Sequence, residues 1–212
     1  MQRHEEKYLI DYRQYALLKN RAAQLLTPDI HGGSYVITSL YYDDPMDTAL
    51  LEKQDGLARH TKFRLRTYNG ADSRIKLERK VKQGILTEKQ TASVTREQLP
   101  LIGVSPELND LSAQMVATAQ RPVITVRYRR DAFFYRGTDL RLTFDTDLRV
   151  LPATVDTLFD CTLPGIPVLD ANTVIMEVKY GSYLPTFVRS LLAVPATPLS
   201  VSKYALCREI LK

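Results

Sequence analysis

Residues 61–82 read TKFRLRTYNGADSRIKLERKVK. In the first half Lys62, Arg64 and Arg66 alternate with Phe63 and Leu65. In the second, Lys76, Glu78, Lys80 and Lys82 alternate with Ile75, Leu77 and Val81, with Arg79 the one interruption. Successive side chains of a strand point to opposite faces, so residues 61–68 and 74–82 each read as a strand with a charged face and an apolar one. Asn69-Gly70 supplies the turn between them, because both residue types accept a positive φ, and the whole stretch predicts a β-hairpin.

The same alternation recurs outward from the hairpin. Residues 140–148 set Arg141, Thr143 and Asp145 against Leu140, Leu142 and Phe144, and residues 174–180 set Glu177 and Lys179 against Met176 and Val178. Residues 3–11, 35–43 and 123–135 read as further strands, the second of them from its Val, Ile, Thr and Tyr content. Asp11 with Gln14 forms a capping-box pattern. Tyr15, Leu18, Ala22 and Leu25 then recur at helical spacing until Pro28 stops the helix near Leu26. A turn follows at Gly32-Gly33. Short helices are expected from Thr95, with Gln98 completing a cap pattern, and over residues 110–119; closing helices are expected over 184–192 and 202–211. There is no internal repeat and no linker rich in Pro, Gly and Ser. Residues 1–212 are therefore expected to form a single α+β domain on a large antiparallel sheet or β-barrel with flanking helices.

The chain has 212 residues, 44% hydrophobic and 25% charged, which excludes fibrous, low-complexity and disulfide-scaffold classes. Its formal net charge is +5, from 29 Lys+Arg against 24 Asp+Glu. Residues 59–89 alone hold ten basic and three acidic side chains, an excess of +7 that leaves the remainder at −2. So concentrated a positive field implies a polyanionic partner. Cys161 and Cys207 lie far apart among apolar neighbours, which suits small buried hydrophobes and a reducing compartment. The first residues are charged, with no apolar signal region, and no run approaches the roughly 18 apolar residues of a membrane span, so a cytoplasmic location is expected.

Two readings of the charged strand faces stay open. An antiparallel sheet that packs one face on a core leaves the other in water, where Lys, Arg and Glu are routine. If instead the charged faces line an interior, they repel one another when dry and require bound anions and water, which makes the interior a polyphosphate site. The carboxylates among the cations, Glu5, Glu78 and Glu177, are then candidate ligands of Mn²⁺ or Mg²⁺, which is commonly held by one or two carboxylates plus phosphate oxygens of the substrate. The alternative for each is a salt bridge with a neighbouring Lys or Arg. No GxSxG, HExxH or Cys/His pair is present, and His4, His31 and His60 have no ligand spacing. A Gly-rich phosphate loop is also lacking, so phosphates would be held by side chains.

Several motifs run in order along the chain: Arg3-His4-Glu5-Glu6-Lys7-Tyr8, Ser39-Leu40-Tyr41-Tyr42-Asp43-Asp44-Pro45, Arg64-Leu65-Arg66-Thr67-Tyr68 and Leu77-Glu78-Arg79-Lys80. After them come Tyr128-Arg129-Arg130-Asp131-Ala132-Phe133, Arg141-Leu142-Thr143-Phe144-Asp145, Met176-Glu177-Val178-Lys179-Tyr180 and Ser202-Lys203-Tyr204. Together they resemble the polyphosphate polymerase domain of the vacuolar transporter chaperone (VTC) type, within the triphosphate tunnel metalloenzyme superfamily.

The resemblance implies an antiparallel β-barrel around a basic tunnel, the triphosphate tunnel fold. It also implies transfer of the γ-phosphoryl group of ATP to a growing polyphosphate chain with Mn²⁺ or Mg²⁺. Carried over by position, Lys7, Arg64, Arg66, Lys80, Arg130, Lys179 and Lys203 would bind the triphosphate or chain, and Glu177 would hold the metal, with Glu78 a second metal candidate. Alternation leaves Arg129 and Arg130 undecided, and the family pattern Arg-x-Ala-Phe selects Arg130. Lys62, Lys76, Lys82 and Arg141 on the charged faces, with Ser202, are further substrate-binding candidates. The broader superfamily often begins Glu-x-Glu-x-Lys, whereas Arg3 takes the first position here, which favours the VTC branch over cyclase or thiamine triphosphatase activity. The eukaryotic VTC proteins also carry an inositol-phosphate-sensing domain and membrane helices. The 212 residues contain neither, so those properties do not carry over. Two alternatives are a tripolyphosphatase or nucleoside triphosphatase, and a non-catalytic polyphosphate binder. A specific nucleic-acid partner is not expected, because the aromatic and glycine signatures of single-strand modules are missing.

Overall fold

The computed structural model describes residues 4–29, 33–84, 86–181, 183–200 and 202–211. Arg3, His31 and Gly32, and with Gly32 half of the expected glycine turn, lie outside the described residues. Strand β1 (His4–Asp11) leads into α1 (Tyr12–Leu25), followed by β2 (Thr27–Pro28), β3 (Tyr35–Asp43), α2 (Thr48–Gln54), β4 (Arg59–Tyr68), β5 (Ala71–Gln83) and β6 (Leu86–Val94). Next come α3 (Asp110–Ala117), β7 (Arg121–Phe134), β8 (Arg141–Leu151), β9 (Ile166–Pro167), β10 (Thr173–Tyr180), α4 (Thr186–Leu191), β11 (Thr197–Pro198) and α5 (Lys203–Glu209). The chain divides into two compact units: Met1–Tyr35 with Tyr128–Leu148 and Leu169–Ser200, and Val36–Arg127 with Arg149–Val168 and Val201–Lys212.

In the first unit the strand order is β11-β1-β10-β8-β7, and β2 pairs with the end of β7. Antiparallel register sets Glu5, Lys179 and Arg141 in one row and Lys7, Glu177 and Thr143 in the next. Because the period is two, Val178, Met176, Leu142 and Phe144 take the opposite face, where they pack with Tyr15, Leu18 and Ala22 of α1 and with Val188 and Leu191 of α4. Helix α1 starts where the capping box places it: Gln14 N donates to Asp11 Oδ1 at 2.8 Å, and Asp11 N donates to Gln14 Oε1 at 2.9 Å. Burying each of these large apolar side chains stabilises by about 1.5–3 kcal/mol before conformational entropy is counted.

The second unit repeats the plan with β3-β4-β5-β6. Leu40, Tyr42, Phe63, Leu65, Ile75 and Leu77 face a core closed by Leu111 and Met115 of α3 and by Leu99 and Ile102. The opposite face carries Lys62 beside Lys80, Arg64 beside Glu78 and Arg66 beside Lys76. The β4–β5 turn is the expected one, with Asn69 at φ 53° and Gly70 at φ 67°. A Cβ at Gly70 would collide with the carbonyl oxygen of Phe159. Gly70→Ala is therefore expected to destabilise the protein by about 1–3 kcal/mol, read as a lower denaturation midpoint; an unchanged midpoint would refute this close approach.

The antiparallel α+β architecture is the expected one. In place of a closed ring of paired strands, β6 and β11 each have one strand neighbour among the described residues, so the pairing ends on open edges. No described helix is long and apolar enough to cross a membrane.

Two elements, β6 and α2, have no counterpart in the sequence reading, and two local readings change. Strand β6 was not anticipated because it is polar and largely exposed; it is a strand only through its ladder to β5, from Ile75↔Val94 to Gln83↔Leu86. Helix α2 has no side-chain cap from its own N-cap residue Asp47; instead Asp43, from β3, accepts from Ala49 N at 2.9 Å and Leu50 N at 3.2 Å. The helix expected from Thr95 is a turn ending in one 3₁₀ turn at Leu99–Leu101, although Thr95 N does donate to Gln98 Oε1 at 2.9 Å. Cys207 is buried as expected, but Cys161 is exposed: its apolar neighbours belong to a surface loop whose carbonyls at Asp160 and Leu163 accept from Arg127.

Candidate functional site

A charged face that is merely solvated should show its charges exposed. Here Glu78 is 1% exposed, Glu177 6% and Arg66 8%. The solvent-face reading of the strand pattern therefore fails at the centre of both units, and each face has its own organisation.

In the second unit the centre is Glu78. Arg64 Nε donates to Glu78 Oε2 at 2.7 Å, Arg66 NH1 lies 3.9 Å from the same oxygen, and Lys89 pairs with the other. Burial pushes the Glu78 carboxyl up, but Arg64, Arg66 and Lys89 outweigh it and bring it down to about 2. Strand β3 holds the arginines from the other side: Arg64 NH1 donates to Tyr41 Oη at 3.0 Å and Arg66 Nε to Ser39 Oγ at 3.1 Å. Burial works to raise the Tyr41 phenol, yet Arg64, Arg66 and Lys203 hold it below its ordinary value. One residue row places Lys62, Lys80 and Lys89 directly opposite one another, a like-charge arrangement that disfavours itself without an anion.

Lys203 opens α5, whose first turn is tied down on several sides. Ser202 Oγ accepts from Ala205 N at 3.2 Å and from Lys62 Nζ at 3.0 Å, and Lys62 Nζ sits 5.5 Å from the Tyr204 ring centroid. Tyr204 Oη donates to Asp43 Oδ2 at 2.5 Å, so the carboxylate that caps α2 also anchors α5.

In the first unit the centre is a chain of alternating charge. Lys7 Nζ lies 2.7 Å from Glu5 Oε1, while Lys179 Nζ lies 2.6 Å from Glu177 Oε1 and 3.6 Å from Glu5 Oε2. Arg130 grips the buried Asp145 with two bonds, Nε to Oδ1 at 2.6 Å and NH2 to Oδ2 at 2.7 Å. Burial alone would lower the Arg130 pKa, and the Asp145 carboxylate raises it above its ordinary value. Arg129 is exposed, on the opposite face of β7 from Arg130.

For a divalent cation the donor set is suggestive. Glu5 and Glu177 share Lys179, and Thr143 Oγ1, in register with Glu177, is buried with no hydrogen-bond partner among the described residues. The described residues contain no group of three or more His, Cys, Asp or Glu side chains suited to a metal. Such a set fits an ion that keeps one or two carboxylates and draws its remaining oxygens from phosphate, and it does not fit an all-protein cage.

Among the candidates, Arg64, Arg66, Glu78, Lys62, Lys80, Ser202 and Lys203 lie together in the second unit, and Glu5, Lys7, Arg130, Glu177 and Lys179 in the first. Three have their side chains engaged elsewhere or exposed: Arg141, in register with Lys179, pairs with Asp29 at 2.5 Å, Lys76, in register with Arg66, sits 5.8 Å from the Tyr68 ring centroid, and Lys82 is exposed near the end of β5. Sequence reading placed Ser39, Tyr41 and Asp43 in a motif without giving them a role, although period two sets them on one face of β3, and it missed Lys89, which stands on the unanticipated β6.

A family model described as the VTC domain matches residues 2–212. No curated protein is matched by the sequence. Among solved structures, a Vibrio parahaemolyticus "putative adenylate cyclase" is similar with a TM-score of 0.56 at 12% identity, covering 97% of each chain. One so described from Bacillus halodurans has a TM-score of 0.52 at 15% identity, covering 94% of this chain and 95% of that one. A chain of the Schizosaccharomyces pombe Mediator head module has a TM-score of 0.52 at 9% identity, covering 91% of this chain and 90% of that one. Such unlike descriptions on one fold mean that the likeness speaks for architecture and leaves the chemistry to the site.

Proposed function

The chain belongs to the VTC domain family and has the fold of the triphosphate tunnel proteins, and from that premise we propose that it is a metal-dependent polyphosphate polymerase. In this reading the terminal phosphate oxygen of an inorganic polyphosphate chain attacks the γ-phosphorus of ATP. The bond from the γ-phosphorus to the β–γ bridging oxygen breaks, and ADP leaves. The observation that carries the reading is a cationic face gathered on one buried carboxylate, with Glu78 and Arg66 withdrawn from water, Arg64 and the exposed Lys89 paired to Glu78, and Lys62, Lys80 and Lys203 beside them. Phosphoryl transfer needs in-line positioning and neutralisation of the non-bridging oxygens, and it needs no covalent intermediate. In the second unit Arg64 and Arg66 offer planar forks fixed by Glu78, Tyr41 and Ser39, and Lys62, Lys80 and Lys203 offer point charges; in the first unit Lys7 and Lys179 offer point charges of their own. Glu177 and Glu5, with Thr143, would hold Mn²⁺ or Mg²⁺. When bound, the ion would add positive charge against the phosphate oxygens.

Purified protein given ATP and Mn²⁺ is expected to form long polyphosphate, less with Mg²⁺ and none in EDTA. An inactive protein beside a working control would overturn the proposal. Phosphate release without chain growth would assign hydrolysis instead, and tight polyphosphate binding in EDTA with no turnover would assign a binding role.

A further inference from the structure

Tyr41 lies on the charged face of β3, 7% exposed, with its ring 5.1 Å from that of Tyr204. Its hydroxyl accepts from Arg64 NH1 at 3.0 Å, and among the described residues nothing accepts the proton that the hydroxyl itself carries. A phenol is both donor and acceptor, and a buried donor left unmet is costly. The largest charged influences on it are Arg64 and Arg66 from β4 and Lys203 from α5. These are cations, and guanidinium and ammonium groups have no acceptor to offer. An anionic oxygen drawn in by those cations would supply one.

We propose that Tyr41 is a further phosphate-binding residue, its hydroxyl accepting from Arg64 while donating to a non-bridging phosphate oxygen. The proposal rests on the reading that this face holds a triphosphate or polyphosphate, and adds a neutral donor to a set otherwise made of charges. The donor also adds direction. Lysine ammonium groups attract an anion from any side, whereas a phenol fixed by its ring and by Arg64 offers one proton along one line. Ser39, two residues earlier, accepts from Arg66 in the same way, so alternate residues of β3 serve the two arginines of β4.

Tyr41→Phe keeps the ring and its packing and removes only the hydroxyl. Binding of inorganic tripolyphosphate by the full chain is measured calorimetrically in EDTA, so that neither metal nor turnover enters. Tyr41→Phe is expected to weaken binding about tenfold, the usual size for a hydrogen bond to a charged group, with the ligand-free protein still cooperatively folded despite the lost bond from Arg64. In an Arg64→Ala background it is expected to weaken binding again, by about threefold or more, because the contact belongs to Tyr41 itself. Wild-type affinity in Tyr41→Phe would overturn the proposal, as would a double variant no weaker than Arg64→Ala, which would leave Tyr41 acting only through the arginine. If the wild type binds tripolyphosphate but forms no polymer, the polymerase reading fails and the Tyr41 contact stands on the fold-changes above. A wild type that binds no tripolyphosphate would overturn both.

Discussion

Glu78→Ala is expected to lower the stability of the ligand-free protein by about 3 kcal/mol at neutral pH, because removing one member of a buried ionic cluster leaves the others uncompensated. The Glu78 carboxyl is 1% exposed and its folded-state pKa is lowered from 4.5 to about 2. At about 1.4 kcal/mol per pKa unit, that shift gives the same magnitude as the broken pair. A carboxyl with a depressed folded pKa contributes stability that is complete above its unfolded value and lost as pH falls through its folded value. The Glu78 contribution is thus full above about pH 5 and disappears towards pH 2, and the alanine variant should lack that part of the acid transition. Tripolyphosphate should restore the variant, since anion bound to the folded state at about 100 times its Kd stabilises by about 2.7 kcal/mol. Denaturant melts between pH 2 and 7, with and without tripolyphosphate, measure all of this. A variant as stable as the wild type, with an identical acid profile, would show that Arg64, Arg66 and Lys89 need no counter-charge.

Glu177→Gln is expected to reduce Mn²⁺-dependent turnover by at least about 100-fold, on the scale of several kcal/mol that a metal supplies to phosphoryl transfer. The amide keeps the shape but removes the charge that pairs with Lys179 at 2.6 Å and would face the metal. Tripolyphosphate binding in EDTA should stay within a few-fold of the wild type, because without the ion Glu177 has no cation to present to phosphate. Calorimetric titration with Mn²⁺ in the absence of ATP gives a reading independent of catalysis, and the affinity for the ion should fall. Undiminished turnover and Mn²⁺ binding would return Glu177 to a plain salt bridge and move the metal elsewhere.

These two carboxylates show how differently the site residues stood in the sequence. Glu78 was legible as a lone acid among cations on one strand face, because Lys76, Glu78 and Lys80 alternate locally. Its pairing with Lys89 was not, since β6 has no apolar alternation and exists only through its ladder to β5. Asp43 was legible as part of a motif, but its capping of α2 and its bond to Tyr204, 161 positions away, depend on contacts that no local pattern encodes. Cys161 misled for a related reason: apolar neighbours in sequence are no guide to burial in a loop.

By itself the sequence determined the strands with an apolar face, the hairpin turn and the partition of charged from apolar side chains, because strand alternation and the positive φ of Asn69-Gly70 are local properties of the chain. Tertiary structure alone decided that Glu78, Arg66 and Glu177 at the centres of the charged faces are withdrawn from water, and that Ser39, Tyr41 and, at the exposed rim, Lys89 join the Glu78 cluster. It also decided that Arg141 and Lys82, identical in pattern to the central residues, stand aside. Burial and register are set by which strands pair and what covers them, and those choices are made between segments far apart in the chain.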